Sequence, residues 1–292
     1  MTHHPHITLL AGPTASGKSA LALDIAARTG AVIINADSQQ LYADLRILSA
    51  RPSVEDEALA DHRLYGVADA AEAWSVGRWS RAVTPLLDEL RAEGRPAVIV
   101  GGTGLYFTAL TRGIADIPEV PVRAREKAAE QIDFLGEAEY RRRLAEMDPA
   151  AEAAIAPGDR QRLTRAWAVA ESTGRALSDW QADTRPILTP GTYARLVIEP
   201  DRERLYANCD RRVTLMVEGG ALDEVRALVK RRLPAELPAM KAVGVRDFAD
   251  HLAGKTSLKE TMDAVRQATR NYAKRQLTWF RNQTPDWDRV QP

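Results

Sequence analysis

Ile7-Thr8-Leu9-Leu10-Ala11-Gly12-Pro13-Thr14-Ala15-Ser16-Gly17-Lys18-Ser19, running on into Ala20-Leu21-Ala22-Leu23-Asp24-Ile25-Ala26-Ala27, is the stretch that decides the fold. An apolar run, then G-x-x-x-x-G-K-[ST], then a helix-like segment is the strand–loop–helix order in which this motif carries meaning. The glycines let backbone N–H groups close on phosphate oxygens, and the helix N-terminus adds a favourable dipole. Lys18 supplies a point charge for the terminal phosphates, and the Ser19 hydroxyl can ligate Mg²⁺. Every fixed position is filled, so a chance Gly-rich turn is a poor explanation. The chain is expected to grip a di- or triphosphate with Gly12, Pro13, Thr14, Ala15, Ser16, Gly17, Lys18 and Ser19.

Outward from that loop, Ala31-Val32-Ile33-Ile34-Asn35-Ala36 ends at Asp37, and Pro96-Ala97-Val98-Ile99-Val100 ends at Gly101-Gly102-Thr103-Gly104. Helix-like segments separate these runs, notably 77–93, giving the βαβ rhythm of a parallel sheet. Right-handed crossovers put strand C-termini along one edge. Asp37, Thr103 and the phosphate loop are therefore expected to share a crevice. Asp37 could cap a following helix, but its place across from the phosphates makes a base or a substrate hydrogen bond more attractive. Many P-loop kinases and ATPases end another strand in an acid that holds Mg²⁺ or polarises water. Val98-Ile99-Val100 runs into glycine instead.

After Ile117-Pro118-Glu119-Val120-Pro121 the character changes. Residues 122–180 are rich in Ala, Glu, Arg and Leu, which predicts helices near Arg123–Ile132, Gly136–Glu146 and Asp159–Ser172. Asp159 suits an N-cap and Thr173-Gly174 a helix stop. Tyr193–Ile198 returns to the sheet, with helices expected from there to the C-terminus. The reading is a P-loop-type α/β core over 1–117, a helical insertion over 118–190, and a return to the core with C-terminal helices over 191–292.

Bulk properties narrow the function only a little. The 292 residues, 45% hydrophobic, suffice for one large domain with an elaboration or for two domains. Cys209 is the one cysteine, which excludes an intramolecular disulfide and Cys-based metal clusters and suits a reducing cytoplasm. No long apolar stretch or signal-peptide pattern occurs, so no membrane partner is expected. His3, His4 and His6 read as a polar tail rather than a metal site. Formal net charge is zero, from 40 basic and 40 acidic residues, so there is no global nucleic-acid signature. From Val265 to Arg281, however, the bases Arg266, Arg270, Lys274, Arg275 and Arg281 occur without an acid. Arg266, Arg270 and Lys274 share a helix face. A solvated face and a polyanion site explain that stripe about equally well.

Taken together, these motifs resemble the tRNA dimethylallyltransferases, also called tRNA isopentenyltransferases, over nearly the whole chain. Gly12–Ser19 resembles the family's phosphate loop, and Asn35–Tyr42 with Ser49-Ala50-Arg51-Pro52 its Asp-Ser-x-Gln segment. Gly101-Gly102-Thr103-Gly104-Leu105-Tyr106, Asp148-Pro149, Asp159-Arg160-Gln161-Arg162 and Thr173–Ser178 resemble further blocks. The most specific are Met240-Lys241-Ala242-Val243-Gly244 and Thr269–Arg281. His62-Arg63, Val245 and Asn208 depart from the usual paired histidines, Tyr and Arg. The sequence ends at Pro292 with no zinc-finger motif in it, so a bacterial-type member is expected.

The resemblance implies transfer of a dimethylallyl group from dimethylallyl diphosphate to N6 of an adenosine adjacent to the anticodon, releasing diphosphate with Mg²⁺ present. The phosphate loop then holds diphosphate rather than ATP. Asp37 takes the amine proton, Thr103 hydrogen-bonds the adenine or diphosphate, and Arg212 is the additional diphosphate-binding residue. The implied tRNA contacts are Asp37, Ser38, Gln39, Gln40, Thr103, Arg123 or Arg125, Gln161, Arg162, Leu163, Thr164, Arg165, Lys241, Val243, Gly244, Arg246, Arg270 and Lys274. A flipped base in the anticodon stem-loop is the implied target, and a cytoplasmic monomer is expected. The rivals are a small-molecule or nucleotide kinase, a non-catalytic RNA-binding protein, and an adenylate prenyltransferase. The first predicts ATP turnover, and the last has less use for the long insertion.

Overall fold

The computed structural model describes residues 6–291; His3 and His4 lie outside them. Contacts divide the chain into two compact units, residues up to Thr111 together with those from Leu188, and Arg112–Ile187. Up to Thr111 the elements are β1 (Ile7–Ala11), α1 (Lys18–Thr29), β2 (Val32–Asn35), α2 (Val54–Leu59), β3 (His62–Arg63), α3 (Val76–Ala92), β4 (Ala97–Gly101) and α4 (Gly104–Thr111). The second unit holds α5 (Val122–Met147), α6 (Pro149–Ala154), α7 (Arg160–Thr173) and α8 (Leu177–Ala182). The chain then returns through β5 (Tyr193–Ile198), α9 (Arg202–Glu218), α10 (Ala221–Lys230), α11 (Val245–Leu252), α12 (Leu258–Gln283) and β6 (Asp288–Val290).

In the first unit six strands pair in parallel in the order β3-β2-β4-β1-β5-β6. β2 and β4 are buried at every position, as unbroken apolar runs covered on both faces of a parallel sheet should be. Ala22 and Ala26 of α1 pack on Leu10, Ile33, Val98 and Ile198. β1 pairs with both β4 and β5, so the phosphate loop leaves from the middle of the sheet.

Two strands depart from the expectation. β3 is two residues long and lacks an apolar run. β6 replaces the expected helical end of the chain; Asp-Arg-Val shows no alternation, and the strand exists because β5 offers it a paired edge. Nor does a helix follow Asp37, whose successors form turns and a bridge between Tyr42 and Ala68.

In the second unit α5 is broken at Gly136 (φ 72°, ψ 159°), which separates the two helical segments that the sequence predicts. Asp159 caps α7 by accepting from the Arg162 N–H at 3.1 Å, and Gly174 ends it at φ 69°. Tyr140, Leu144, Leu163 and Trp167 form its core. The buried Asp148 carboxylate caps Ala151 and accepts from Ser178 N–H and Oγ, which ties α6 to α8.

Candidate functional site

The loop between β1 and α1 is shaped by backbone that most residues avoid: Ala15 has φ 61° and Gly17 φ 88°. Lys18 is only 8% exposed, and its Nζ donates to the Pro13 carbonyl at 3.0 Å. Burial lowers its pKa to about 8; the nearby Asp37 carboxylate opposes the shift, and Arg212 adds to it. Ser19 is exposed in the first turn of α1. Gly12, Pro13, Thr14 and Ser16 are buried.

α9 brings a second cation to the loop. Arg212 Nη1 donates to Thr14 Oγ1 at 2.7 Å and Nη2 to the Ser49 carbonyl at 2.8 Å, while its buried Nε has no hydrogen-bond partner. Desolvation lowers its pKa, with Asp37 opposing. One turn earlier, Asn208 donates to the Ala15 carbonyl at 3.2 Å, so this departure from the family pattern still touches the loop.

The ends of β2 and β4 meet opposite these cations. The fully buried Asn35 fixes Asp37 by accepting its N–H at 2.8 Å and donating to its carbonyl at 3.0 Å. The Asp37 carboxylate accepts from Gln39 N–H at 3.0 Å. Thr103 donates its N–H to the Ala36 carbonyl at 3.2 Å, and its hydroxyl accepts from Ser38 N–H at 2.9 Å. Gln40 donates to the Ser49 and Ala50 carbonyls. The structure thus brings together Lys18, Arg212, Asp37, Ser38 and Thr103.

The glycines after β4 are there because neighbours leave no room. A Cβ on Gly101 would lie 2.0 Å from the Ala36 oxygen, and on Gly104 2.3 Å from the Trp279 ring. One on Gly102 would lie 2.2 Å from Gln276 Nε2. Gln276 is the residue that sequence reasoning missed. Its signal was a polar side chain on the α12 face that also buries Thr269, Ala273, Leu277 and Phe280.

The residues expected to bind RNA are placed unevenly. Lys241 and Arg246 are exposed, Val243 is half-buried, and Gly244 caps α11 at φ 91°. The basic stripe is partly paired within the protein. Arg270 is held by Asp210 of α9 at 2.6 and 2.7 Å, and Arg266 by Asp263 and Thr214. The acids that were missing from 265–281 sit one turn earlier and on a neighbouring helix; Lys274 is exposed. In the second unit Gln161, Arg162, Arg123 and Arg125 are exposed. Thr164 bonds back to the Arg160 carbonyl at 3.0 Å. Leu163 is fully buried in that unit's core, so its side chain is not an RNA contact. Partial desolvation and then the charge of Arg125 hold the Arg165 guanidinium below its ordinary pKa.

Among the described residues no cluster of three or more His, Cys, Asp or Glu could hold a metal ion, and no helix is long and apolar enough to cross a membrane.

The IPP transferase family model matches residues 40–283, and the Isopentenyl transferase model residues 5–73. The chain is 58% identical to the tRNA dimethylallyltransferase of Caulobacter sp. (strain K31), over 98% of this chain and 92% of that one. The tRNA isopentenylpyrophosphate transferase structure from Bacillus halodurans matches with TM-score 0.70 and 30% identity, over 99% of this chain and 90% of the other. A eukaryotic dimethylallyltransferase acting on tRNA shares the fold with TM-score 0.84 at 23% identity, over 98% and 73% of the two chains.

Proposed function

We propose a mechanism from the premise that the chain belongs to the tRNA dimethylallyltransferase family. It transfers a dimethylallyl group from dimethylallyl diphosphate to N6 of an adenosine adjacent to the tRNA anticodon and releases diphosphate. The observation that carries the mechanism is two cations at one phosphate loop, the buried Lys18 and the half-buried Arg212 from α9, with the buried Asp37 near enough to favour the charged form of each. Leaving diphosphate gains negative charge as its bond to the allylic carbon breaks. Lys18, Arg212 and the loop amides stabilise that charge in a water-poor site. Such charge-assisted contacts are worth roughly 1.5–3 kcal/mol each.

Asp37 accepts the proton that N6 sheds as the C–N bond forms, a contribution of roughly 10²–10⁴ in rate. Thr103, beside Ser38, orients the adenine. The exposed Ser19 hydroxyl fits a Mg²⁺ ion that takes most of its other ligands from water and diphosphate, as this ion usually does. When bound, the ion would neutralise charge on the leaving group. The free thiol of the buried Cys209 suits a reducing cytoplasm.

Incubating the protein with dimethylallyl diphosphate, Mg²⁺ and an anticodon stem-loop should yield the prenylated loop and an equal amount of diphosphate. ATP hydrolysis without prenyl transfer would overturn this reading in favour of a kinase.

A further inference from the structure

We propose that Gln276 is a positioning residue that sets the distance between the diphosphate loop and the Asp37–Thr103 end of the sheet. The inference rests on the prenyl-transfer reading above. Gln276 is 6% exposed on the inner face of α12. Its Oε1 accepts the Thr14 N–H at 2.8 Å, and its Nε2 donates to the Gly102 carbonyl at 2.9 Å. One amide therefore joins the loop that follows β1 to the loop that follows β4. A carboxylate of the same length cannot donate, and an aliphatic chain does neither.

The surroundings are cut to this strut. A Cβ on Gly102 would meet Gln276 Nε2 at 2.2 Å and Asp37 Oδ2 at 3.3 Å, so both side chains crowd the space where that Cβ would stand. Thr103, the next residue, passes the register on through its bonds to Ala36 and Ser38. On the other side, Thr14 is the residue whose hydroxyl receives Arg212. Gln276 thus touches both the leaving-group half and the nucleophile half of the site.

Transfer requires the amine to meet the allylic carbon as diphosphate leaves, with the reacting atoms about 3–3.5 Å apart. With the strut loosened, the C–O bond to diphosphate still breaks and its electron pair departs with diphosphate. The carbon then lies out of line with N6. Water bonds to that carbon instead and gives up a proton, forming dimethylallyl alcohol. Loss of Gln276 should therefore uncouple diphosphate release from transfer.

The test compares wild type with Q276E and Q276L, measuring diphosphate released and dimethylallyl transferred to an anticodon stem-loop in the same reaction. Thermal melts and active-site titration normalise for folded protein; Q276E keeps the volume and the Thr14 bond. Single-turnover transfer should fall about 10- to 100-fold, with KM for the stem-loop unchanged and diphosphate exceeding product. Wild-type transfer per active site in both variants would overturn the proposal. So would losses that track folded protein with equal product and diphosphate. If wild type itself transfers nothing, the prenyl-transfer reading fails instead.

Discussion

A lysine that is 8% exposed, with its pKa lowered to about 8, holds its proton weakly until an anion arrives. Above that pH the unliganded protein carries Lys18 largely neutral, and bound diphosphate restores the charge by its field. Diphosphate binding should therefore take up a proton above about pH 8, and affinity should fall as pH rises. Calorimetric titrations at pH 8.5, in two buffers of different ionisation enthalpy, measure the uptake directly; identical heats would refute it. The stability sign follows as well. A lowered lysine pKa means the unfolded chain binds the proton more tightly, so the unliganded fold gains stability from about pH 8 towards 10.5. At Asp37, Asn keeps the size and the bond from Gln39 N–H but not the basicity. Single-turnover transfer by Asp37→Asn should drop by roughly two orders of magnitude with tRNA affinity little changed. Near-wild-type rates would remove Asp37 from the chemistry.

Helices decide which arginines are available to RNA. The Arg270–Asp210 pair joins α12 to α9 and is partly exposed, so breaking it should cost no more than about 1 kcal/mol. Because Asp210 already neutralises Arg270, Arg270→Ala should leave the salt dependence of stem-loop binding nearly unchanged. Arg125 and Arg165 instead hold like charges near each other. If each neutralises a phosphate, log affinity against log salt should flatten by about 0.7 for each one removed. Salt titrations of wild type, Arg165→Ala and Arg270→Ala distinguish the two cases, and equal slopes for all three would exclude Arg165 as a phosphate contact. The sequence made β1, the phosphate loop and α1 legible because apolar period, glycine spacing and Lys18 all agree. Asp159 and Gly174 were readable for the same reason, since caps are local chemistry. The Arg270–Asp210 pair and the role of Gln276 were not legible because the partners, Asp210, Thr14 and Gly102, are far away in the chain. The edge strand β6 was invisible because its pairing, not its composition, makes it a strand.

At the scale of the whole molecule, each unit has its own buried core, and the first closes on itself where the second departs. Leu188 N–H donates to the Leu110 carbonyl at 2.9 Å, so the chain leaves and re-enters the first unit at adjacent residues. Replacing residues 112–187 with a short Gly/Ser linker should therefore leave a cooperatively folding protein that still binds diphosphate, because Lys18, Arg212, Asp37 and Gln276 all remain. Stem-loop affinity should fall by tenfold or more, about 1.4 kcal/mol, as the insertion's arginines are lost. A thermal melt and diphosphate titration of the deletion protein check this, and loss of diphosphate binding would refute it. The same doorway bears on synthesis. β1 is made first, yet its partner β5 emerges only after the entire insertion has left the ribosome. Until then the nascent sheet ends at β1 and presents an unsatisfied edge. An insertion that folds by itself shortens the tether between Leu110 and Leu188 from a long random coil to almost nothing. Loop closure then costs far less entropy when β5 arrives. An insertion of this kind is, in this sense, a folding aid: it draws Leu110 and Leu188 together before the last strands pair.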